Sequence, residues 1–127
     1  MRVALDIDET ITKHPEFFAF LSKALMDAGH RVFIVTFRWH REETERDLAQ
    51  MGISYHELHL EEDQEVFRHT GFYEWKANKC RELGVDVLFE DMTPVAHLLD
   101  GDVLTFVPYD KDQHAELAFN FREKDMP

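Results

Sequence analysis

Residues 2–10 read RVALDIDET, and the first six of them decide the fold class. RVALDI, at 2–7, is apolar with no clean period-two alternation, the pattern of a strand covered on both faces. Outward from it, residues 15–29 carry Phe17, Leu21, Ala24, Leu25 and Ala28 at helical spacing, with Pro15 near the start and Gly29 at the stop. RVFIVTF at 31–37 is a second buried strand, rich in β-branched residues. An exposed helix is expected over 40–51, ending at Gly52, and a third strand over 53–60, ISYHELHL. Residues 61–74 read as an irregular excursion, acidic at first and then mixed. A helix over 76–83 stops at Gly84, a fourth strand VDVLF covers 85–89, a short helix 94–99, and a fifth strand DVLTFV 102–107. The polar tail, 109–127, has no firm assignment. Strands alternating with helices make parallel βαβ units. The expected fold is therefore α/β: a doubly wound, three-layer, Rossmann-like domain over 1–127, with its core in 1–108 and a mainly parallel sheet of about five strands.

A chain of 127 residues with 44% hydrophobic content can bury its own core and fits one globular domain. It has no apolar stretch of bilayer length and no basic-then-apolar leader, so a cytoplasmic protein without a membrane partner is expected. The one cysteine, Cys80, cannot form an internal disulfide. The net charge of −12 repels polyanions, so no nucleic-acid partner is expected, and any phosphate must be drawn in by local cations.

Ligands of such sheets bind beyond the carboxyl ends of the strands. That rule gathers Asp6 and Asp8 after strand one, Thr36 and Arg38 after strand two, and Glu90 and Asp91 after strand four. So many carboxylates in one crevice need a cation, and hard oxygen ligands with room for phosphate suit Mg²⁺. A calcium loop starting at Asp6 would need Gly at position 11 and Glu at position 17, but the chain has Ile11 and Phe17. A Toprim-type site would place a lone Glu first and the Asp pair later, the reverse of this order. A two-component receiver places its phosphorylated Asp after strand three, where this chain reads ELHLEED. With a cation bound, one carboxylate could attack phosphorus, and the one two residues on could protonate the leaving oxygen. Thr36 offers a hydroxyl to phosphoryl oxygens, and Lys76 a positive charge.

These residues resemble the haloacid dehalogenase superfamily of phosphohydrolases. Asp6-Ile7-Asp8-Glu9-Thr10 is similar to its first motif, Thr36 to its second, Lys76 to its third and Glu90-Asp91 to its fourth, in the family's order. The resemblance implies an aspartyl-phosphate on Asp6, general acid/base action by Asp8, phosphoryl binding by Thr36 and Lys76, and Mg²⁺ held by Asp6, Asp8 and Asp91 with Glu90. The motif gaps, 27 residues between Asp8 and Thr36 and 39 between Thr36 and Lys76, leave no room for a cap domain. The resemblance is thus to small capless members, which act on phosphorylated small molecules or on larger phosphorylated substrates, or borrow a lid from a neighbouring subunit in a homo-oligomer. The expected activity is Mg²⁺-dependent hydrolysis of a phosphate monoester. A phosphotransferase and a catalytically weak phospho-ligand-binding module are the alternatives.

Other residues divide between site and scaffold. Arg38, Trp39, His40 and Arg41 form a basic–aromatic cluster that suits either substrate contact or a helix N-terminal surface. Phe72, Tyr73 and Trp75 are expected to pack the excursion. Lys79, one turn after Lys76, competes for its role, although the spacing to Leu83-Gly84 favours Lys76. His56 and His59, three apart on a strand, face opposite sides and are not expected to share an ion. Cys80 is expected to face the core, and Glu9 has no assigned role.

Overall fold

The computed structural model describes residues 1–117; residues 118–127, most of the tail, lie outside the described part. Five strands form one sheet: β1 (Arg2–Leu5), β2 (Arg31–Val35), β3 (Glu57–His59), β4 (Val87–Phe89) and β5 (Leu104–Phe106). Their order is β3-β2-β1-β4-β5 and every pairing is parallel. Five α-helices connect and cover them: α1 (Pro15–Asp27), α2 (Arg41–Gln50), α3 (Gln64–Thr70), α4 (Phe72–Glu82) and α5 (Thr93–Leu98).

The continuous apolar runs are explained by burial on both faces. Val3, Leu5, Val32 and Ile34 face Phe18 of α1 and Leu48 of α2. Ala4, Phe33, Val35 and Leu88 face Phe67 of α3, Trp75, Ala77 and Cys80 of α4, and Val95 of α5. Neighbouring strand residues therefore feed opposite cores, the period-two geometry of a strand expressed without polar alternation. Cys80 lies in the second core, where burial pushes its thiol up to about 12. The fold is the expected doubly wound α/β arrangement, with no cap among the described residues. No helix among them is long and apolar enough to cross a membrane.

Three local readings need correction. Residues 61–74 are not an irregular excursion: α3 occupies 64–70, and α4 begins at Phe72, four residues before the helix expected from Lys76. The Asp63 side chain accepts a hydrogen bond from the Glu65 N–H at 3.0 Å and caps α3. Gly71, at φ 92°, separates the two helices. The third strand is also only three residues long, because its expected first half leaves the ladder. There the His56 ring, through Nδ1, accepts the Val32 N–H at 3.0 Å in place of a backbone carbonyl.

The chain runs outward from β1 through β2 to β3, then returns to the other side of β1 for β4 and β5. The order therefore reverses between β1 and β4, and a crevice opens there beyond the carboxyl ends of the strands. Asp6 and the Glu90-Asp91 pair are the first residues past those two ends.

Candidate functional site

Asp6 extends the β1 ladder by one bond, its N–H donating to the Phe89 carbonyl at 3.0 Å. The chain then turns sharply over Ile7–Ile11, with Glu9 at φ 64°. A non-glycine residue in the left-handed region costs on the order of 1 kcal/mol. Local bonds offset it: Glu9 N–H donates to Thr12 Oγ1 at 3.0 Å, and Thr12 N–H to the Ile7 carbonyl at 3.1 Å. The Glu9 side chain is exposed and pairs with Lys13 at 3.1 Å. The same turn carries Thr10 back onto Asp6, where its hydroxyl donates to Oδ2 at 3.0 Å.

Lys76, fully buried on α4, reaches the other oxygen of the same carboxylate. Its Nζ lies 2.6 Å from Asp6 Oδ1 and 2.5 Å from Glu90 Oε1. Only the first contact is aligned as a hydrogen bond. Lys79 points outward to Glu82, at 3.1 Å. Asp6, Glu90 and Asp91 are all buried, and each offers an oxygen within 4.8 Å of the others. Glu90 Oε2 accepts the Met92 N–H at 3.0 Å, which starts α5.

Three carboxylates face one ammonium, so the fully ionised cluster carries two uncompensated negative charges. Without a second cation the cluster compensates with protons. Burial, aided by Glu90 and by a hydrogen bond to Asp91 and opposed by Lys76, raises Asp6 well above the ordinary carboxylate range. Burial likewise raises Glu90 against the pull of Lys76. Asp91 is also buried, but hydrogen bonds from Asp6 and Gln113 outweigh that and hold it below its ordinary value. Lys76 is raised despite its burial, because Asp6 and Glu90 flank it. The donor set, all oxygen and short of two positive charges, fits a divalent metal ion.

Asp8 occupies different surroundings. Its side chain is 59% exposed and clasped by Arg38, with Nη2 2.9 Å from Oδ1 and Nε 3.1 Å from Oδ2. Arg38 also reaches Asp47 of α2 at 2.7 Å, and the bond to Asp8, stronger than the cost of burial, raises its pKa further. Thr36 is buried at the end of β2, its hydroxyl accepting the Arg38 N–H at 3.1 Å. Asp6, Lys76, Glu90 and Asp91 thus form one connected cluster, whereas Asp8 and Arg38 form a rim, joined through the Arg38 N–H to the buried Thr36 hydroxyl.

Two participants were not anticipated. Gln113 Nε2 donates to Asp91 Oδ2 at 2.6 Å, and the buried His114 ring, through Nε2, bonds the Asp91 carbonyl at 2.7 Å. They belong to a strap held by Asp110, whose Oδ1 accepts the N–H groups of Asp112 and Gln113 at 2.9 and 3.1 Å. Lys13 Nζ, 2.5 Å from Asp110 Oδ2, ties the strap to the turn after β1. The readable signal was the Asp110 side-chain turn, since Asp bonds backbone N–H groups two and three residues on.

No family model matches the chain, and no curated protein matches it. Among solved structures, it is similar to a chain in a structure described as "Structure of Pnkp1/Rnl/Hen1 complex", with a TM-score of 0.67 and 20% sequence identity. The match covers 84% of this chain and 45% of that one, so this chain spans less than half the length of its structural neighbour. At that identity the likeness concerns the fold alone. It also corrects the expectation drawn from the motifs: the structural neighbour is a chain of the Pnkp1/Rnl/Hen1 complex, no family model supports membership of the haloacid dehalogenase superfamily, and the chain is not assigned to it.

Proposed function

We propose that the chain hydrolyses a phosphate monoester with Mg²⁺, using Asp6 as nucleophile. The observation that carries this reading is the single buried ammonium of Lys76 set on the Asp6 carboxylate, inside a cluster two positive charges short of neutrality. A purely structural ion pair needs no further carboxylates, and two more are buried beside it.

Mg²⁺ would be held by Asp6 and Asp91, with Glu90 behind them and Asp8 at the edge, and would supply charge neutralisation at the phosphoryl oxygens. The remaining chemistry belongs to the chain. Asp6 Oδ attacks phosphorus, the bond from phosphorus to the ester oxygen breaks, and the alcohol leaves with a proton from Asp8. Asp8, now ionised, takes a proton from water as that water's oxygen attacks the same phosphorus. Phosphate departs and the Asp6 carboxylate is restored. Thr10 and Lys76 hold Asp6 from two sides, which fixes its aim. Asp8 reaches the leaving oxygen once Arg38 lets go of it, and the freed guanidinium then becomes available to phosphoryl oxygens. Thr36 supplies its hydroxyl beside them. The substrate is a phosphorylated small molecule or the phosphorylated end of a larger one.

Asp6→Asn is the direct test. The variant should fold, because the amide oxygen still accepts from Lys76 and the Thr10 hydroxyl can turn to accept from the amide NH2. It should lose Mg²⁺-dependent phosphate release from a generic aryl phosphate by about 10⁴-fold or more. Turnover unchanged in that variant removes Asp6 from the mechanism, and no turnover of any phosphate ester by the wild type removes the hydrolase reading.

A further inference from the structure

Beside the carboxylate cluster lies a cleft of about 490 Å³, whose lining includes Phe37, Arg38, Trp39, His40, Gln64 and Phe72. Phe37 is the wall it shares with the cluster. Lys76 Nζ lies 4.6 Å from the Phe37 ring centroid, and Phe72 meets that ring edge-to-face at 5.5 Å. Arg38, also in the lining, links the cleft to Asp8 at the rim of the site.

Three features of the cleft exceed what packing requires. Trp39 is 47% exposed and Phe72 49%, two large rings in the lining with much of their surface in water. Phe72 stacks one face on Phe67 at 4.6 Å, which satisfies the core side only. Trp39 meets His40 edge-to-face at 5.0 Å and still keeps nearly half of its surface in water. The third feature is Gln64, whose Nε2 is buried and has no hydrogen-bond partner among the described residues. A buried donor left unpaired is costly, so such groups are expected to have a use.

The cleft's charges say what does not bind. Arg38 is already shared between Asp8 and Asp47, and Glu43 and Asp47 also line the cleft. A second phosphate or a carboxylate would meet more negative than free positive charge there. An uncharged flat group would not. Aromatic faces with one amide donor and acidic acceptors match a ring that has acceptors and amino donors on its edge.

We propose that this cleft binds a heteroaromatic ring of nucleobase type, against Trp39 and Phe72 with the Gln64 amide donating to its edge, as the ring of the phosphate ester's leaving group. The proposal rests on the hydrolase reading for its second half only, since ring binding needs no turnover.

The test therefore has two arms. In the first, adenosine and uridine, which carry no phosphate, are titrated into the metal-free protein by calorimetry, with ribose as control. The nucleosides should bind and ribose should not, and Trp39→Ala and Gln64→Ala should each weaken binding, the former about tenfold or more. Failure of both nucleosides to bind the wild type overturns the proposal, as does equal binding by wild type and both variants. In the second arm, kcat/KM is compared between nucleoside 5′-monophosphates and ribose 5-phosphate with Mg²⁺. The wild type should prefer the nucleotides, and the preference ratio should collapse toward one in Trp39→Ala. Equal turnover of both ester classes by the wild type overturns the assignment of the ring to the leaving group. Nucleoside binding without turnover of any ester strikes the hydrolase reading and leaves the ring site standing.

Discussion

Asp6 and Asp8 stand two residues apart, with the same side chain and the same strand before them, yet they belong to two different electrostatic regimes. Asp6 is 4% exposed and lies between a buried ammonium and a threonine hydroxyl. Asp8 faces solvent, and a guanidinium from the next strand's end holds it. The difference comes from the turn: the left-handed Glu9 folds the chain so that Thr10 bonds back to Asp6 while Asp8 stays at the rim. In low dielectric a charge must be matched or neutralised, whereas at the rim water does most of the work. The pair therefore divides into a fixed, buried group and an exposed, adjustable one, the division that the proposed nucleophile and acid/base roles call for.

The strongest way to break this comparison is to remove the ammonium. Lys76→Met leaves Asp6, Glu90 and Asp91 buried without their cation, and stability at neutral pH in chelator should fall by about 3–5 kcal/mol. The pH dependence has a definite sign. Asp6 and Glu90 have native-state pKa values raised above their unfolded ones, so the native state binds more protons. The stability this gives is present below the ordinary carboxylate range near pH 4 and is lost as pH rises through the raised values. Denaturant melts of the variant should accordingly improve on acidification and on adding Mg²⁺ at neutral pH. A variant as stable as the wild type at neutral pH in chelator would show that the cluster is not charge-limited.

A smaller effect is expected from the strap. Gln113→Ala removes the amide that orients Asp91 but leaves the His114 bond to the Asp91 backbone. Outer partners of metal ligands typically contribute about 10–100-fold in metal affinity. Calorimetric titration with Mg²⁺ should show a loss in that range, with the unfolding midpoint in chelator nearly unchanged. Wild-type affinity in the variant would separate the strap from the proposed metal site.

What was legible follows the same division. Strand ends are readable because burial on both faces leaves a continuous apolar run, and the chain's first polar residue past it must lie at the crevice. That logic places Asp6, Thr36, Glu90 and Asp91 at the carboxyl edge from the sequence alone, and each does follow its strand there. Lys76 was harder, since a buried lysine on a helix looks like an exposed one until its partners are in place. Gln113 and His114 were missed because the strap has no periodicity and acts through contacts more than twenty residues back along the chain. The helix at 64–70 was hidden by its acidic start, although Asp63 is a good N-cap and was there to be read. Phe72 was expected as packing; one face does pack, and half of its surface does not.

The mildest perturbation tests the other side of the comparison. Arg38→Gln removes the clasp from Asp8 and the link to Asp47, both of which are substantially exposed. Exposed pairs contribute about 0–1 kcal/mol, because water replaces them and two side chains regain freedom. The unfolding free energy should therefore change by less than about 1 kcal/mol, and the change should shrink further in 1 M salt, where the screening length is about 3 Å. The deficit of Lys76→Met should persist in that salt, because counterions do not enter the pocket that encloses Asp6 and Glu90. If instead both variants lose stability alike and both recover in salt, Asp6 is wet, and the two aspartates share one environment after all. Melts of the two variants at low and high ionic strength decide between these outcomes, and the contrast in salt response matters more than either absolute value.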